Sequence, residues 1–560
     1  MTAHRDLLPS EVPGIRRRVE DFFTDLQNEY PDLPLQLMTP LAAGGDQLVA
    51  EVAFSIGIRV VALLPMAQQD YEDDFGDAES LARFRDLLGR SDDVITLPAI
   101  EGDDPAGSPA TARARLYAQV GVFTSDHCHV LLALWDGKQV PDIGGTSRVI
   151  QYHLTAVMEG LGGDPTPAGL LADNENDLVY HIVCSRDRPG GEPLDGLDPL
   201  EGRWLNSRDR DKRFEQMPAE YRTLLGRLQQ FARDWREKNA EVSARSASLL
   251  DGSPACEEPG GARYTDMLFQ AADGLAVHYQ RREPCSLRAL HVMAILMGLI
   301  FLVNTEYDGT RYMVLTFLGL FFAGVVLHLV GSNREWHRKY LDYRTLAEGL
   351  RVQLYWNLSG VVDRGWAGFA YDNFLSKQDV DLGWIRHVMR QASMYRQRGR
   401  EPDPDWVPWV IAEWVGQPES GQGHLAYYSR KEVINSASYR RTHLLGNLCL
   451  WTGILVAVIL VVAEPAVSEE QHRSLLVLMG VLPLVAGVWD AYSHKKAEKE
   501  LIKQYGFMSG VFKKASDLLQ QSDELQFRRR VLRALGQAAL DEGAEWLLIH
   551  RERPLEHGRL

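Results

Sequence analysis

Cysteine is scarce in this 560-residue chain: Cys128, Cys184, Cys256, Cys285 and Cys449 are the five. None forms a CxxC pair, so neither a zinc knuckle nor a dithiol redox motif is readable. Five scattered thiols suit a reducing compartment better than a disulfide framework. Positive charge is also in deficit, the formal net charge being −16. That excludes a general nucleic-acid binder, which needs a basic face to displace counterions from phosphates. The first ten residues, MTAHRDLLPS, have neither the apolar core nor the cleavage site of a secretory signal, so the soluble part is expected in the cytoplasm. GxGxxG and GxxxxGK[ST] are both absent, which argues against an ordinary NAD dehydrogenase and a P-loop ATPase. No catalytic set and no metal cluster is read. The triplet His127-Cys128-His129 opens a strand, where neighbouring side chains point to opposite faces, and packing explains it better than a metal.

What the chain does have is apolar runs, all beyond residue 285. Leu287 to Val303, Tyr312 to Val330, Leu444 to Val462 and Leu475 to Tyr492 approach the roughly 20 residues that span a hydrocarbon core of about 30 Å. Pro483 should kink the last. The loops inside each pair, NTEYDGTR and AEPAVSEEQHR, are short and carry acids. The opposite flanks are basic: Arg281, Arg282 and Arg288; Arg334, Arg338 and Lys339; Arg440 and Arg441; Lys495, Lys496 and Lys499. Basic flanks stay inside, which places both large soluble regions in the cytoplasm and makes the lipid bilayer a partner. His291 lies within the first run, and an intramembrane polar group is a functional candidate.

Two segments continue the runs with heptad spacing: Trp336, Tyr340, Tyr343, Ala347, Leu350 and Leu354, then Leu501, Tyr505, Met508, Phe512, Ala515 and Leu519. An intramolecular bundle and an oligomeric stalk both fit; a homo-oligomer is the expectation. Trp384, Trp406, Trp409 and Trp414 anchor a helical insertion, with core packing the expected role. The organisation read from these features is an α/β domain over 1–200, a helical linker over 201–283, a first transmembrane hairpin over 284–332, a cytoplasmic helical region over 333–441, a second hairpin over 442–493 and a helical tail over 494–560. The amphipathic stretch Ala262 to Arg282 is the expected coupling between sensor and membrane part.

The α/β domain is read from alternation. The apolar strands LQLMTPL, RVVALLP, VITLP, HVLLALWD and LVYHIVCS are separated by amphipathic helices, the pattern of a Rossmann-like parallel sheet covered on both faces. Such sheets bind ligands at the carboxyl ends of their strands. Two glycine turns fall there, Gly44-Gly45-Asp46 and Gly144-Gly145-Thr146, each opening a helix. Glycine lets backbone approach an anion, and helix N-terminal N–H groups point at it. Asp46 would cap its helix or accept from a ribose hydroxyl. Trp135, Asp136 and Gly137 end a strand, where base stacking or ligand hydrogen bonding is expected. The acidic run Glu72-Asp73-Asp74 reads as solvated surface, with a cation or ribose contact as the alternative.

HRDL from His4 to Leu7, PLAAGGDQLVAEVA from Pro40, LLPMAQQDYEDDF from Leu63, CHVLLALWDG from Cys128 and GGTSRV from Gly144 resemble the SLOG superfamily, Rossmann-like domains related to the LOG enzymes and DprA proteins. YRTLAEGLRVQLYW from Tyr343 and AEWLLIHRERPLE from Ala544 are similar, more loosely, to SLATT-type membrane effectors. The resemblance implies a site that includes His4 and Arg5, a nucleotide-derived ligand such as ADP-ribose or an NAD-like molecule, and a membrane effector gated by it, pore-forming in bacterial defence. The alternative is a membrane-anchored nucleotide-processing enzyme of LOG type. Three departures stand out. Ala3 occupies the position of a glycine that precedes HRDL in similar domains, so either the first strand is missing or the start codon is wrong, which bears on part of the ligand site. IGGTSRVIQ is shorter than the LOG motif PGGxGTxxE and lacks its Glu, so hydrolysis is not supported. Four membrane runs exceed the usual two.

Overall fold

The computed structural model describes residues 1–98, 109–158, 177–209, 212–243, 246–280, 283–307, 309–361, 382–397, 402–416, 421–462, 468–496 and 498–551. Its elements in chain order are β1 (Thr2–Ala3), α1 (Val12–Glu29), β2 (Gln36–Thr39), α2 (Gly45–Ser55), β3 (Arg59–Leu64), α3 (Gln68–Glu72), α4 (Ala78–Arg90), β4 (Asp93–Thr96), α5 (Pro109–His127), β5 (Leu131–Trp135), α6 (Thr146–Thr155), β6 (Val179–Val183), β7 (Gly202–Leu205) and α7 (Ala219–Ser243). Helices alone follow: α8 (Ala262–Gln280), α9 (Glu283–Glu306), α10 (Arg311–Asn333), α11 (Trp336–Ser359), α12 (Gly383–Ser393), α13 (Trp406–Val410), α14 (Gly423–Val462), α15 (Glu469–Lys495), α16 (Glu498–Gln521) and α17 (Leu525–Arg551). An N-terminal parallel-sheet α/β region thus precedes an all-helical part. The chain forms two compact units. One comprises Met1–Asn239, Glu257–Leu268 and Gly360–Pro402; the other comprises Ala240–Cys256, Phe269–Ser359 and Asp403–Leu560.

In the α/β unit β2, β3 and β4 pair in parallel, as do β1, β5 and β6, and β7 closes the latter group antiparallel to β6. The Met1 amino group donates to the Met38 carbonyl at 2.8 Å, joining the two groups between β1 and β2. They share one core, with Met38, Val61 and Ile95 from one side and Leu131, Ala133 and Val179 from the other. The strands are therefore added outward in both directions from β1, and the carboxyl ends of β1 and β5 lie at the reversal. Register sets the neighbours there: Ala3 lies opposite Leu134, and the His4 N–H donates to the Leu134 carbonyl at 3.2 Å.

Three features depart from the sequence reading. The first strand is present, two residues long. The segment expected as a helical linker starts with β7, whose four residues are too few to show a period. And α12, expected within a helical region, belongs to the α/β unit although its chain neighbours α11 and α13 do not. There Trp384 is buried against Phe231, ring centroids 5.6 Å apart, and the His387 ring meets that of His129 at 4.7 Å.

In the helical unit α11 is buried along its whole length rather than on one stripe, because α17 and the turn after α13 cover it from different sides. Trp356 donates its indole N–H to the Leu532 carbonyl at 2.8 Å. On α16 the expected stripe is the buried one: Met508, Phe512, Ala515 and Leu519. Trp406 and Trp414 are core side chains, and Trp409 donates to the Gly252 carbonyl at 3.0 Å. The apolar runs behave oppositely. Neither α10 nor α15 buries a single described residue, and Phe322 and Trp451 are 61% and 67% exposed. So much bare apolar surface demands a nonaqueous cover. Four helices are long and apolar enough to cross a membrane. They meet at small residues: a Cβ on Gly298 would strike Leu484, one on Gly480 Leu302, and one on Gly453 the Pro483 ring, the packing that lets helices approach where hydrophobic driving force is lacking.

Candidate functional site

At the β1–β5 reversal the α/β unit opens a cavity of about 440 Å³. The end of β1 contributes His4 and Arg5, α2 contributes Asp46, α5 contributes Tyr117 and Thr124, and the turn into α6 contributes Gly144, Gly145 and Thr146. The expected residues His4, Arg5, Asp46, Gly144, Gly145 and Thr146 are thus brought together.

The α6 turn is held open to the cavity. Gly144 has φ +81°, and a Cβ there would lie 2.8 Å from the Ala114 carbonyl oxygen and 2.9 Å from Tyr117 Cβ, so only glycine fits. The Ser147 hydroxyl bridges Val140, accepting from its N–H at 3.1 Å and donating to its carbonyl at 3.2 Å. Thr146 donates to the Ala3 carbonyl at 2.9 Å. The N–H groups of Arg148 and Val149 take the Gly145 carbonyl at 3.0 and 3.1 Å. Among the described residues no carbonyl takes the N–H groups of Thr146 and Ser147, the open end of the helix, and both residues line the cavity.

Two buried polar atoms at the cavity have no hydrogen-bond partner among the described residues. Asp46 is 4% exposed with Oδ1 unpartnered, and Thr124 is 1% exposed with Oγ1 unpartnered. Burial pushes the Asp46 carboxyl up to about 7, against the pull of the nearby Arg5 guanidinium. Arg5 stands over the Tyr117 ring, 5.3 Å from its centroid, and the Tyr117 hydroxyl is bound to Asp74.

His4 is fixed from behind. Its Nε2 lies 3.2 Å from Asp136 Oδ1, and that oxygen also accepts the Lys138 N–H at 3.0 Å. Burial alone would raise the Asp136 carboxyl; the His4 and Lys138 hydrogen bonds outweigh it and hold the group below the ordinary carboxylate range. Asp136 does not line the cavity and acts on it through His4.

The first glycine turn is not a ligand cradle. A Cβ on Gly44, at φ +84°, would lie 1.9 Å from the Arg5 carbonyl oxygen, and one on Gly45 would lie 2.5 Å from Ala3 Cβ. The Gly45 N–H is taken by the His4 carbonyl at 3.1 Å. These glycines let α2 pass against β1, and only Asp46 reaches the cavity. Trp135 is likewise core, its indole N–H on the Lys138 carbonyl at 3.0 Å, and is not placed to stack on a base. In the acidic run Glu72 pairs with Arg85, and Asp74 with Arg113 at 2.7 Å. His127 Nδ1 meets the Phe123 carbonyl at 2.8 Å and its Nε2 meets Ser393 Oγ at 3.2 Å; Cys128 is buried. His291 Nδ1 turns back to the Leu287 carbonyl at 2.8 Å.

Sequence reasoning missed Tyr117 and Thr124. For Thr124 the signal was the polar Thr124-Ser125 pair that ends the apolar stretch VGVF of α5. No family model matches the chain, and no curated protein or solved structure matches it.

Proposed function

We propose that the α/β unit is a SLOG-like sensor that binds a nucleotide-derived molecule, such as ADP-ribose or an NAD-like compound, and thereby sets the state of the apolar helices. One observation carries this: Asp46 Oδ1 and Thr124 Oγ1, both buried, have no hydrogen-bond partner among the described residues and lie beside a glycine-opened helix N-terminus. Leaving such groups unpaired costs about 1–3 kcal/mol each, a cost that a ligand's hydroxyls would offset. The N–H groups of Thr146 and Ser147 suit a phosphate, Arg5 adds positive charge, and the Asp46 carboxylate suits a ribose diol.

On this reading the basic flanks keep both extramembrane regions in the cytoplasm, copies of the chain assemble, and the ligand acts because it favours one membrane state over another, opening a pore in a defence response. The LOG-type enzyme has one feature in its favour. A carboxyl at about 7 in a cavity is suited to general acid–base work.

The test is calorimetry on the full chain in detergent micelles with ADP-ribose and NAD, with product analysis of the same samples. The full chain is required because α12 is part of the α/β unit. Binding without turnover, lost on Asp46→Asn and on Gly145→Trp, supports the sensor and leads to liposome leakage assays. Turnover favours the anchored enzyme. Absence of binding refutes both.

A further inference from the structure

The helical unit encloses a larger cavity, of about 730 Å³. The space between packed helices is ordinarily filled by apolar side chains, yet here several helices turn polar stripes toward it. On α11 Arg344, Glu348 and Arg351 recur at helical spacing; on α14 and α16 come Tyr427, Tyr428 and Tyr505; on α17 comes Glu542.

Arg344, Arg351 and Lys496 are already matched to carboxylates. Arg344 is bound to Glu348 and lies 3.3 Å from Asp273, and Arg351 lies 2.6 Å from the same Glu348. Lys496 lies 3.2 Å from Glu498. An incoming anion would have to break these pairs. Glu542 differs: among the described residues no hydrogen bond or ion pair reaches its carboxyl. Tyrosine rings share its surroundings with the Arg344 guanidinium, the Tyr427 and Tyr428 centroids lying 5.3 Å apart and the Tyr428 and Tyr505 centroids 6.1 Å apart. One of these rings already holds a cation, for the Lys431 ammonium stands 5.7 Å from the Tyr427 centroid. An electron-rich wall beside an unmatched carboxyl is the arrangement that binds alkylammonium groups.

We propose that this cavity is a binding site for an organic cation, an alkylammonium group lying against the Tyr427, Tyr428 and Tyr505 rings and pairing with Glu542. The ammonium belongs to a soluble amine or to a lipid headgroup; Ser438 and Lys495, beside the apolar runs, also line the cavity, so a headgroup is within its reach. The site is independent of the nucleotide cavity and does not rest on the sensor reading. Burial pushes the Glu542 carboxyl up to about 7, with the Glu348 and Glu545 carboxylates adding to the effect and the Arg344 guanidinium opposing it. A cation favours the ionised form, so affinity rises with pH up to about 7 and levels off above it.

The experiment is calorimetric titration of the full chain in non-ionic detergent with tetramethylammonium, with tert-butanol and inorganic phosphate as controls. Tetramethylammonium should bind at pH 8 and about tenfold more weakly at pH 6, and Glu542→Gln should weaken binding at pH 8 by about tenfold, equivalent to about 1.4 kcal/mol. The wild-type pH profile stands without any variant. No tetramethylammonium binding, binding indifferent to pH and to Glu542→Gln, or phosphate binding in its place would overturn the proposal. Repeating the titration in nanodiscs assigns the source. Weaker apparent binding in phosphatidylcholine than in phosphatidylglycerol marks a headgroup that competes, and equal binding marks a soluble amine; either supports the site.

Discussion

His181, at the centre of β6 and fully buried, ties the stability of the α/β unit to pH. Its Nε2 lies 2.8 Å from the Trp135 carbonyl oxygen, and Arg213 Nη1 lies 3.0 Å from its Nδ1. A carbonyl only accepts and a guanidinium only donates, so Nε2 carries the proton and Nδ1 must be bare. Protonating Nδ1 sets an N–H against Arg213 inside the sheet. Burial pushes the group down to about 4 from 6.5, with Arg213 adding to the fall. Between those values the unfolded chain binds more protons than the folded one. The stabilisation is therefore complete above about pH 6.5 and is lost as pH falls toward about 4. At pH 5 the linkage relation gives a loss of about 2 kcal/mol, a large share of a typical stability of about 5–15 kcal/mol. Hydrogen exchange of the full chain in detergent, read on peptides covering β5 and β6 at pH 7.5 and 5 and corrected for intrinsic rates, measures it. His181→Gln keeps an N–H donor and cannot titrate. Wild type should lose about 30-fold more protection than the variant over this interval, the equivalent of 2 kcal/mol. Equal losses in the two proteins would refute the assignment.

Asp46 has the opposite sign. Its folded-state pKa is raised to about 7, so its ionisation costs stability increasingly as pH rises from the unfolded value near 4. Asp46→Asn should raise the melting temperature, by more at pH 8 than at pH 5, the difference being on the order of 2 kcal/mol, while abolishing ligand binding; scanning fluorimetry checks the first and calorimetry the second. Gly144→Ala forces a side chain into the left-handed region and against the Ala114 carbonyl, costing at least about 1–2 kcal/mol, whereas the Cβ of Gly145→Ala meets nothing nearer than 3.3 Å and should fold normally; melting curves separate them. Gly536→Ala, which in an exposed helix would gain about 1 kcal/mol, should instead lose about 1–3 kcal/mol, because its Cβ would lie 2.4 Å from the Trp356 ring; urea sensitivity of α17 reports it.

The fold was legible where a pattern repeats. Strands β2 to β6 announce themselves as apolar runs between helices, and the four membrane runs by length alone. What escaped was short or nonlocal. Thr2–Ala3 carries no period, and Gly202–Leu205 is a four-residue edge strand. Nothing in GWIRHVMRQAS says that α12 packs with a sheet more than 200 residues earlier, because that depends on what Trp384 and His387 meet. The site was half legible for a related reason. Both glycine turns sit where a strand turns into a helix, yet glycine serves close packing at Gly44 and an open N-terminus at Gly144. What distinguishes them is nonlocal: the His4 and Arg5 carbonyls close on the first turn, whereas only the Thr146 side chain of the second meets a carbonyl of β1.

The course of the chain bears on how a bound ligand would be felt in the membrane. α8, the segment proposed as the coupling, starts in the α/β unit and ends in the helical one. The second connection was unexpected: α11, which continues the second apolar run, is followed by residues 360–402 of the α/β unit before the chain returns at α13. If a bound ligand acts on the apolar helices, this passage of the chain offers a second covalent route beside α8. Trp384→Ala separates the routes. It empties a site that is 1% exposed against Phe231, costing about 3–5 kcal/mol of local packing. No α12 residue lines the cavity at the β1–β5 reversal, so calorimetric affinity for the proposed ligand should change by less than about threefold, within about 0.7 kcal/mol. If α12 carries the signal, ligand-dependent leakage from liposomes should disappear although the ligand still binds. Leakage that survives with binding intact would assign the coupling to α8 alone.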